Sequence, residues 1–397
     1  MRTQVVIVGA GPAGLTLAHL LHRQGIDCLV LEARAREHIE TRVRAGVLEH
    51  PTVDLLDEIG LAGRLRVEGM THHGIRLRFD HAMHRIDFAD LTGAAITVYA
   101  QQELVKDLVA ARLADGQPIL FDVDDVRLDG VDTDRPRVRF RHDGRERTVD
   151  CDVIAGCDGF HGISRASIPA GVLTVHERVY PFAWLGILAQ TRPSCDELVY
   201  ARHPDGFALH SMRGPEVTRQ YLQVPAGTDL ADWPDERIWT GLRRRLGHGD
   251  GLDLEEGPIF DKSLAPMRSF VVEPMRYGRL FLLGDAAHIV PATGAKGLNL
   301  AVADARVLSY GLGHHYATGR WDELDRYTER CLRRVWQVQQ FSWWMTAILH
   351  RIGGTQPFDE RLRAAELDRV VSSRAAATTL AENYVGLPFA TGWAWRG

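Results

Sequence analysis

The sequence predicts a mixed α/β chain: a nucleotide-binding unit first, a strand-rich middle, and a helical end. Three observations carry this. A short apolar run, Val5–Val8, enters the glycine turn Gly9-Ala10-Gly11-Pro12-Ala13-Gly14. Strand patterns dominate residues 175–275. After about residue 300 the apolar spacing becomes helical. With 397 residues, 45% hydrophobic and 25% charged, the chain is long enough for roughly two to three units with real cores.

Val5 to Val8 has the unbroken apolar character of a buried parallel strand. A helix reads from about Pro12 to Arg23, with Gly25 as its stop. Cys28 to Leu31 is a second apolar run, and Glu32 ends it. Glycines at Gly9, Gly11 and Gly14 allow a tight turn and let backbone N–H groups approach a pyrophosphate, to which the helix N-terminus adds partial positive charge. Glu32 is placed to accept hydrogen bonds from a ribose. Strand, turn, helix and spaced acid together predict dinucleotide binding and leave FAD and NAD(P) both open. There is no second copy, so a second dinucleotide would have no Rossmann unit of its own.

Between about 135 and 155 the pattern alternates at Val138, Phe140, Val149, Cys151 and Val153, which reads as strands near the edge of the first unit. Residues 197–213 read as a hairpin closed by Pro204-Asp205-Gly206, and Gly214-Pro215 turns into a further strand from Thr218 to Val224. Trp321 to Arg351 reads as one long amphipathic helix, and Arg243-Arg244-Arg245 as a solvated helix face. The expected units are a discontinuous nucleotide domain over 1–175, completed by about 268–300, a substrate-binding sheet over 176–267, and a helical region over 301–397.

A net charge of −5 provides no basic field for nucleic acid or an anionic membrane, so an anionic small substrate needs local arginines. No run approaches the roughly 20 apolar residues of a membrane span, and the first residues lack the apolar stretch of a signal peptide. The five cysteines are odd in number and form no C-x-x-C, which predicts buried free thiols in a reducing cytoplasm. No metal site is expected, because the adjacent pairs His72-His73 and His314-His315 point in different directions.

Two later segments carry a resemblance. Asp152 to Arg165, centred on Asp158-Gly159, resembles the Asp-Gly motif of the flavoprotein aromatic hydroxylases. Gly278 to His288, containing Gly284-Asp285, resembles their Gly-Asp motif, and Pro291 to Asn299 resembles the loop that faces the isoalloxazine ring. With Gly162 where most members carry serine, and with Arg42 to Glu49, Leu264 to Phe270 and Ala381 to Pro388, the likeness is closest to members acting on 4-hydroxybenzoate. It runs from Gln4 to about Pro388.

The resemblance implies bound FAD, NADPH or NADH as co-substrate, O2 and a phenolic acid, with 4-hydroxybenzoate leading and 3-hydroxybenzoate or a non-oxygenating flavin reaction as alternatives. It implies a homodimer. Its chemistry passes through a flavin C4a-hydroperoxide, an electrophile that a phenolate attacks far better than a phenol. For FAD it points to Asp158, Asp285, Arg42, Arg44 and Gln101, to the loop residues Lys296, Gly297, Leu298 and Asn299, and to Arg219 as the arginine that positions the ring. It assigns the substrate carboxylate to Ser211, Arg213 and Tyr221, the phenol to Tyr200, and a proton relay to Tyr384 and His72. The strand pattern agrees in part, since Ser211 and Arg213 share a face, as do Arg219, Tyr221 and Gln223.

The chain also departs from the family. Ala292 stands where familiar members have a second proline, whose carbonyl joins the phenol network; alanine keeps the carbonyl and loses the fixed φ. Ala33 and His38 replace an arginine and a tyrosine tied to the 2′-phosphate of NADPH. Arg34 or Arg36 can meet a phosphate instead, while His161 and Arg268 resemble other nicotinamide contacts. The choice between NADH and NADPH stays open.

Overall fold

The computed structural model describes residues 1–43, 46–247, 252–353 and 356–389. Its first sheet has six strands, in the order Arg276–Tyr277, Leu280–Leu282, Val153–Gly156, Val5–Val8, Cys28–Leu31, Ile119–Leu120. Val5 pairs in parallel with Val153 on one side and Cys28 on the other. All four residues of Val5–Val8 are buried, so the strand must be apolar throughout and shows no alternation. Helix Pro12–Arg23 starts where Pro12 supplies a helical φ and packs against helix Gly297–Thr318.

Two expectations about this region need correction. Val153–Gly156 is an interior strand beside Val5–Val8, not an edge strand. Its unbroken burial is the signature of a strand covered on both faces. Alternation belongs to Arg137–His142, where Val138 and Phe140 are buried between exposed arginines. That strand lies in a separate three-stranded antiparallel sheet with Asp124–Asp129 and Arg145–Asp150.

The second sheet has eight strands, in the order His288–Ile289, Ile259–Glu273, Thr174–Gln190, Val217–Pro225, Ala208–Gly214, Leu198–Ala201, Gly74–Phe79, Ala82–Asp87. The last two come from residues 74–87, within the segment expected to form the nucleotide unit. The expected hairpin forms, with Gly206 at φ +104° and its N–H donating to His203 O. Both faces of the sheet are covered. Ile187, Val199, Leu222 and Val224 pack on Ile238, Trp239 and Leu242 of helix Asp235–Leu246. Trp184, Tyr200, Leu209 and Tyr221 meet Met345, Leu349, Leu380 and Tyr384 of the C-terminal helices. Each large side chain so buried contributes about 1.5–3 kcal/mol.

The predicted helix 321–351 is broken at Arg326 into Asp322–Asp325 and Tyr327–Leu349. The arginine triplet is not simply a solvated face: Arg245 is buried, donating to Gly241 O and Asp205 O. Cys28, Cys151, Cys157 and Cys331 are buried free thiols, and Cys195 is partly exposed. Among the described residues no helix is long and apolar enough to cross a membrane.

Candidate active site

The glycine turn is shaped by contacts that exclude side chains. Gly9 has φ +107°, and a Cβ there would lie 2.4 Å from Cys157 O; one on Gly14 would lie 2.0 Å from Gly9 O. At Gly11 a Cβ would meet nothing within 4 Å, and helix Pro12–Arg23 has no side-chain cap. The turn thus has room at Gly11, beside the start of an uncapped helix, the arrangement that accepts a phosphate. Glu32 is oriented beside them, accepting Ala10 N–H at 2.8 Å and Arg34 N–H at 2.9 Å. These residues fit a dinucleotide.

Asp158 builds its turn with one oxygen and leaves Oδ1 buried without a partner. Its Oδ2 accepts Ser164 N–H at 2.8 Å, and burial raises its pKa against the opposing backbone hydrogen bonds. A Cβ at Gly162 would lie 2.1 Å from Asp158 Cγ, which explains glycine at that position. Arg165 was not among the predicted site residues. It donates to Ala286 O at 2.9 Å and to Phe160 O, joining the two cofactor motifs. Asp285 is exposed on the one-turn helix Gly284–Ala286. Beneath it, buried Asp304 accepts Gly284 N–H at 2.9 Å and lies 2.7 Å from His288 Nε2. Burial alone would lower His288, but the Asp304 carboxylate raises it.

The loop expected to face the flavin is tied down from within. Lys296 is buried, with Nζ donating to Glu49 Oε1 and to Tyr384 O, both at 2.8 Å. The Asn299 side chain donates to Val47 O and Ala295 O and accepts Glu49 N–H. Both side chains are thus engaged by protein. What the loop offers a ligand is backbone: Gly297 and Leu298 open helix Gly297–Thr318, which has no side-chain cap. Ala292 is exposed, and its carbonyl accepts Ala295 N–H at 2.9 Å. Thr293 hydrogen-bonds Thr346 at 2.9 Å. Gln101 is half-buried at a helix start, Arg42 is exposed, and Arg44 lies outside the described residues.

On the sheet face toward the C-terminal helices, Tyr200 pairs with Leu209, Leu209 with Tyr221, and Ser211 with Arg219. Cross-strand partners share a face, so Tyr200, Ser211, Arg219 and Tyr221 come together. Arg213 sits at the irregularity between Met212 and Gly214, a place where a strand re-aims a side chain. Its neighbours Tyr221 and Arg219 put it on the same side. Arg213 donates to Met212 O at 3.1 Å, its Nε is buried without a partner, and burial lowers its pKa to about 10. Arg219 is buried over the Tyr221 ring at 5.1 Å, with Nε and Nη1 unpartnered. Among the described residues neither arginine has a carboxylate partner. A buried guanidinium nitrogen without a partner is unfavourable, and a ligand carboxylate at this face would supply one.

Tyr200 and Tyr384 are buried and their hydroxyls lie 2.5 Å apart. Burial raises both pKa values, which keeps both phenols neutral and able to donate. His72 is buried on the strand Met70–His72, paired with Ile96. Burial lowers its pKa against the pull of Glu197 and Asp196, and its Nδ1 has no partner. Among the described residues it makes no hydrogen bond to either tyrosine. Trp184 and His350, missed from sequence, complete the aromatic wall: Trp184 Nε1 donates to His350 Nε2 at 2.7 Å, and His350 stacks on Phe207 with centroids 4.3 Å apart.

Of the expected nicotinamide residues, His161 and Arg268 gather round Phe160, with the Arg268 guanidinium 4.6 Å from the ring and the His161 ring 4.9 Å away. Arg34 is exposed just before helix Arg36–Thr41, and His38 is exposed within it.

A family profile described as "FAD binding domain" matches residues 2–342. The chain is 46% identical over 390 residues to p-hydroxybenzoate hydroxylase of Acinetobacter baylyi, covering 98% of this chain and 96% of that one. It is 28% identical over 345 residues to 3-(3-hydroxy-phenyl)propionate/3-hydroxycinnamic acid hydroxylase of Mycolicibacterium gilvum, covering 81% of this chain and 56% of the relative. Its fold is similar to that of p-nitrophenol 4-monooxygenase from Pseudomonas putida, with a TM-score of 0.84 at 19% identity, covering 96% of this chain and 98% of that one.

Proposed function

The chain belongs to the FAD-dependent aromatic hydroxylases, and on that premise we propose that it converts 4-hydroxybenzoate, O2, NAD(P)H and a proton into 3,4-dihydroxybenzoate, water and NAD(P)+. One observation carries the substrate: buried Arg219 and half-buried Arg213, each with a buried nitrogen that has no partner and with no carboxylate partner among the described residues, share a face with Tyr200, which meets Tyr384.

In this reading the substrate carboxylate supplies the missing anion to Arg213, with Ser211 and Tyr221 beside it; charge-assisted hydrogen bonds contribute about 1.5–3 kcal/mol each. The strand of Tyr200 lies two strand spacings from that of Tyr221, or about 9–10 Å. That separation suits a ring with its acid and hydroxyl at opposite ends. Ionising a phenol of pKa about 10 costs about 4 kcal/mol at pH 7, and a neutral tyrosine donor at the phenolate oxygen reduces this. As the substrate proton passes to the Tyr200 oxygen, the Tyr200 proton passes to Tyr384 and the Tyr384 proton to His72 once His72 approaches the pair, which leaves both tyrosines neutral and Tyr200 donating to the phenolate. Bound FAD, held at the glycine turn, Glu32 and the Gly284–Asn299 segment, supplies the transfer of electrons from NAD(P)H to O2 and the reactive oxygen.

NAD(P)H is assigned to the surface around Arg34, His38, His161 and Arg268. The six-stranded sheet is assigned to FAD and the eight-stranded sheet to the substrate. Exposed Trp336 and Trp343 on helix Tyr327–Leu349, with Phe358 and Leu362 on the next, support a homodimer through the helical region, in the cytoplasm. The test is turnover of purified protein with 4-hydroxybenzoate and NADH or NADPH under labelled O2, with 3-hydroxybenzoate as comparison. Labelled 3,4-dihydroxybenzoate supports the proposal. Nicotinamide oxidation with no label in any catechol overturns it.

A further inference from the structure

The helix that carries Tyr384, Arg374–Val385, ends in an unusual way. Its last carbonyls and those just beyond it are met by two cations from elsewhere in the chain. Lys296 Nζ donates to Tyr384 O at 2.8 Å, and Arg334 Nη1 donates to Leu387 O at 2.9 Å. Cations belong at a helix C-terminus, where the partial negative charge of unsatisfied carbonyls collects. Both are anchored to one carboxylate: Glu49 Oε1 accepts from Lys296 at 2.8 Å, and Oε2 from Arg334 Nη2 at 3.1 Å. Glu49 is itself held by the Asn299 side chain through its backbone N–H. The chain after Tyr384 presses on this hub so closely that a Cβ on Gly386, which has φ +103°, would lie 2.4 Å from Glu49 Oε2.

We propose that Arg334 is a positioning residue for the Tyr200–Tyr384 pair: by clamping the segment after Tyr384 to Glu49 it sets where the Tyr384 hydroxyl lies. This rests on the reading above, in which that pair ionises the substrate. Arg334 reaches neither tyrosine side chain. It comes from the first half of helix Tyr327–Leu349, 53 residues upstream of Leu387, and its only carboxylate among the described residues is the one that Lys296 shares. Lys296 belongs to the loop expected to face the flavin. The hub thus fastens that loop and the tyrosine helix to one point, and loosening it at Arg334 lets the tyrosine helix shift while leaving the Lys296–Glu49 contact in place.

The experiment compares wild type, Arg334→Met and Arg334→Lys as FAD-loaded full-length proteins. Hydrogen exchange over residues 380–388 reads the clamp without substrate. Spectral titration of bound 4-hydroxybenzoate reads its phenol, and the ratio of catechol to nicotinamide oxidised reads coupling. Expected for Arg334→Met are faster exchange at 380–388, an upward shift of about one pH unit in the bound phenol's titration, equivalent to about tenfold less phenolate at neutral pH, and lower coupling. Arg334→Lys, which keeps one cation near Glu49, falls between. Unchanged exchange overturns the clamp. Faster exchange with an unmoved phenol titration reduces Arg334 to a merely structural role and overturns the proposal. If Arg334→Met does not fold, Arg334→Lys carries the same comparison. A wild type that binds FAD but never binds or ionises 4-hydroxybenzoate fails the functional reading, and the positioning role with it, while exchange still reports the clamp separately.

Discussion

The hydroxyls of Tyr200 and Tyr384 meet at 2.5 Å although the residues lie 184 positions apart. One stands on an interior strand of the eight-stranded sheet and the other on the last described helix, and nothing local to either implies the contact. Burial holds both phenols neutral, so each hydroxyl keeps a proton to donate.

Tyr200→Phe is expected to keep FAD bound and to lower catechol formation about a hundredfold, since general acid–base partners typically contribute 10²-fold or more. Flavin absorbance of the purified variant and catechol yield per turnover check this. An unaltered hydroxylation rate removes Tyr200 from the mechanism.

Arg213→Met is expected to raise the apparent KM for 4-hydroxybenzoate about 10–100-fold, the loss of roughly 1.5–3 kcal/mol of charge-assisted hydrogen bonding. Affinity for unsubstituted phenol, which has no carboxylate, is expected to stay the same. The same change removes a half-buried cation whose Nε has no partner, so the substrate-free variant is expected to melt no lower than wild type. Calorimetry without substrate, set beside steady-state kinetics, separates the two effects.

Gly14→Ala is expected to cost the protein its cofactor. The added carbon would lie 2.0 Å from Gly9 O, forcing the turn open at the place where a pyrophosphate is bound. The ratio of flavin to protein absorbance after purification is the measurement. A fully yellow Gly14→Ala protein contradicts this account of the turn.

Acidification is expected to destabilise the protein through two buried histidines. His350 is lowered to about 3 by burial, and His210 to about 4 by burial against its Gln220 contact. Both start from 6.5 in the unfolded chain, so below that pH the unfolded state takes up protons that the folded state refuses. Each contribution is fully present above pH 6.5 and is lost as pH falls from there toward the folded values, at about 1.4 kcal/mol per pH unit per histidine. Geometry fixes His350 as the neutral Nδ1–H tautomer: Nε2 accepts Trp184 Nε1–H, and Nδ1 lies 3.0 Å from Thr346 O. Urea midpoints between pH 4.5 and 7 should fall on the acid side, and His210→Gln should flatten that slope.

Much of the first unit was legible because its constraints are local. Helix Pro12–Arg23 and strand Cys28–Leu31 lie where the apolar runs and glycines put them, since a glycine turn and a doubly buried strand restrict neighbouring residues directly. The hairpin at 204–206 was readable for the same reason. The interior place of Val153–Gly156 was available in its unbroken apolar run but was obscured by the alternation just before it. The burial of Arg245 had no comparable signal, because arginine partners that are backbone carbonyls leave no mark in a sequence.

By itself, then, the sequence determined the nucleotide turn, the chemistry of the family and the residue types that a phenolic acid requires. Only the tertiary structure decided the register that sets Tyr200 opposite Leu209, the absence of a hydrogen bond from His72 to the tyrosine pair, and the hub that joins Glu49, Lys296 and Arg334. The physical reason is range: backbone geometry is set by neighbours in the chain, whereas a buried charge or hydroxyl finds its partner only when packing brings distant segments to the same point.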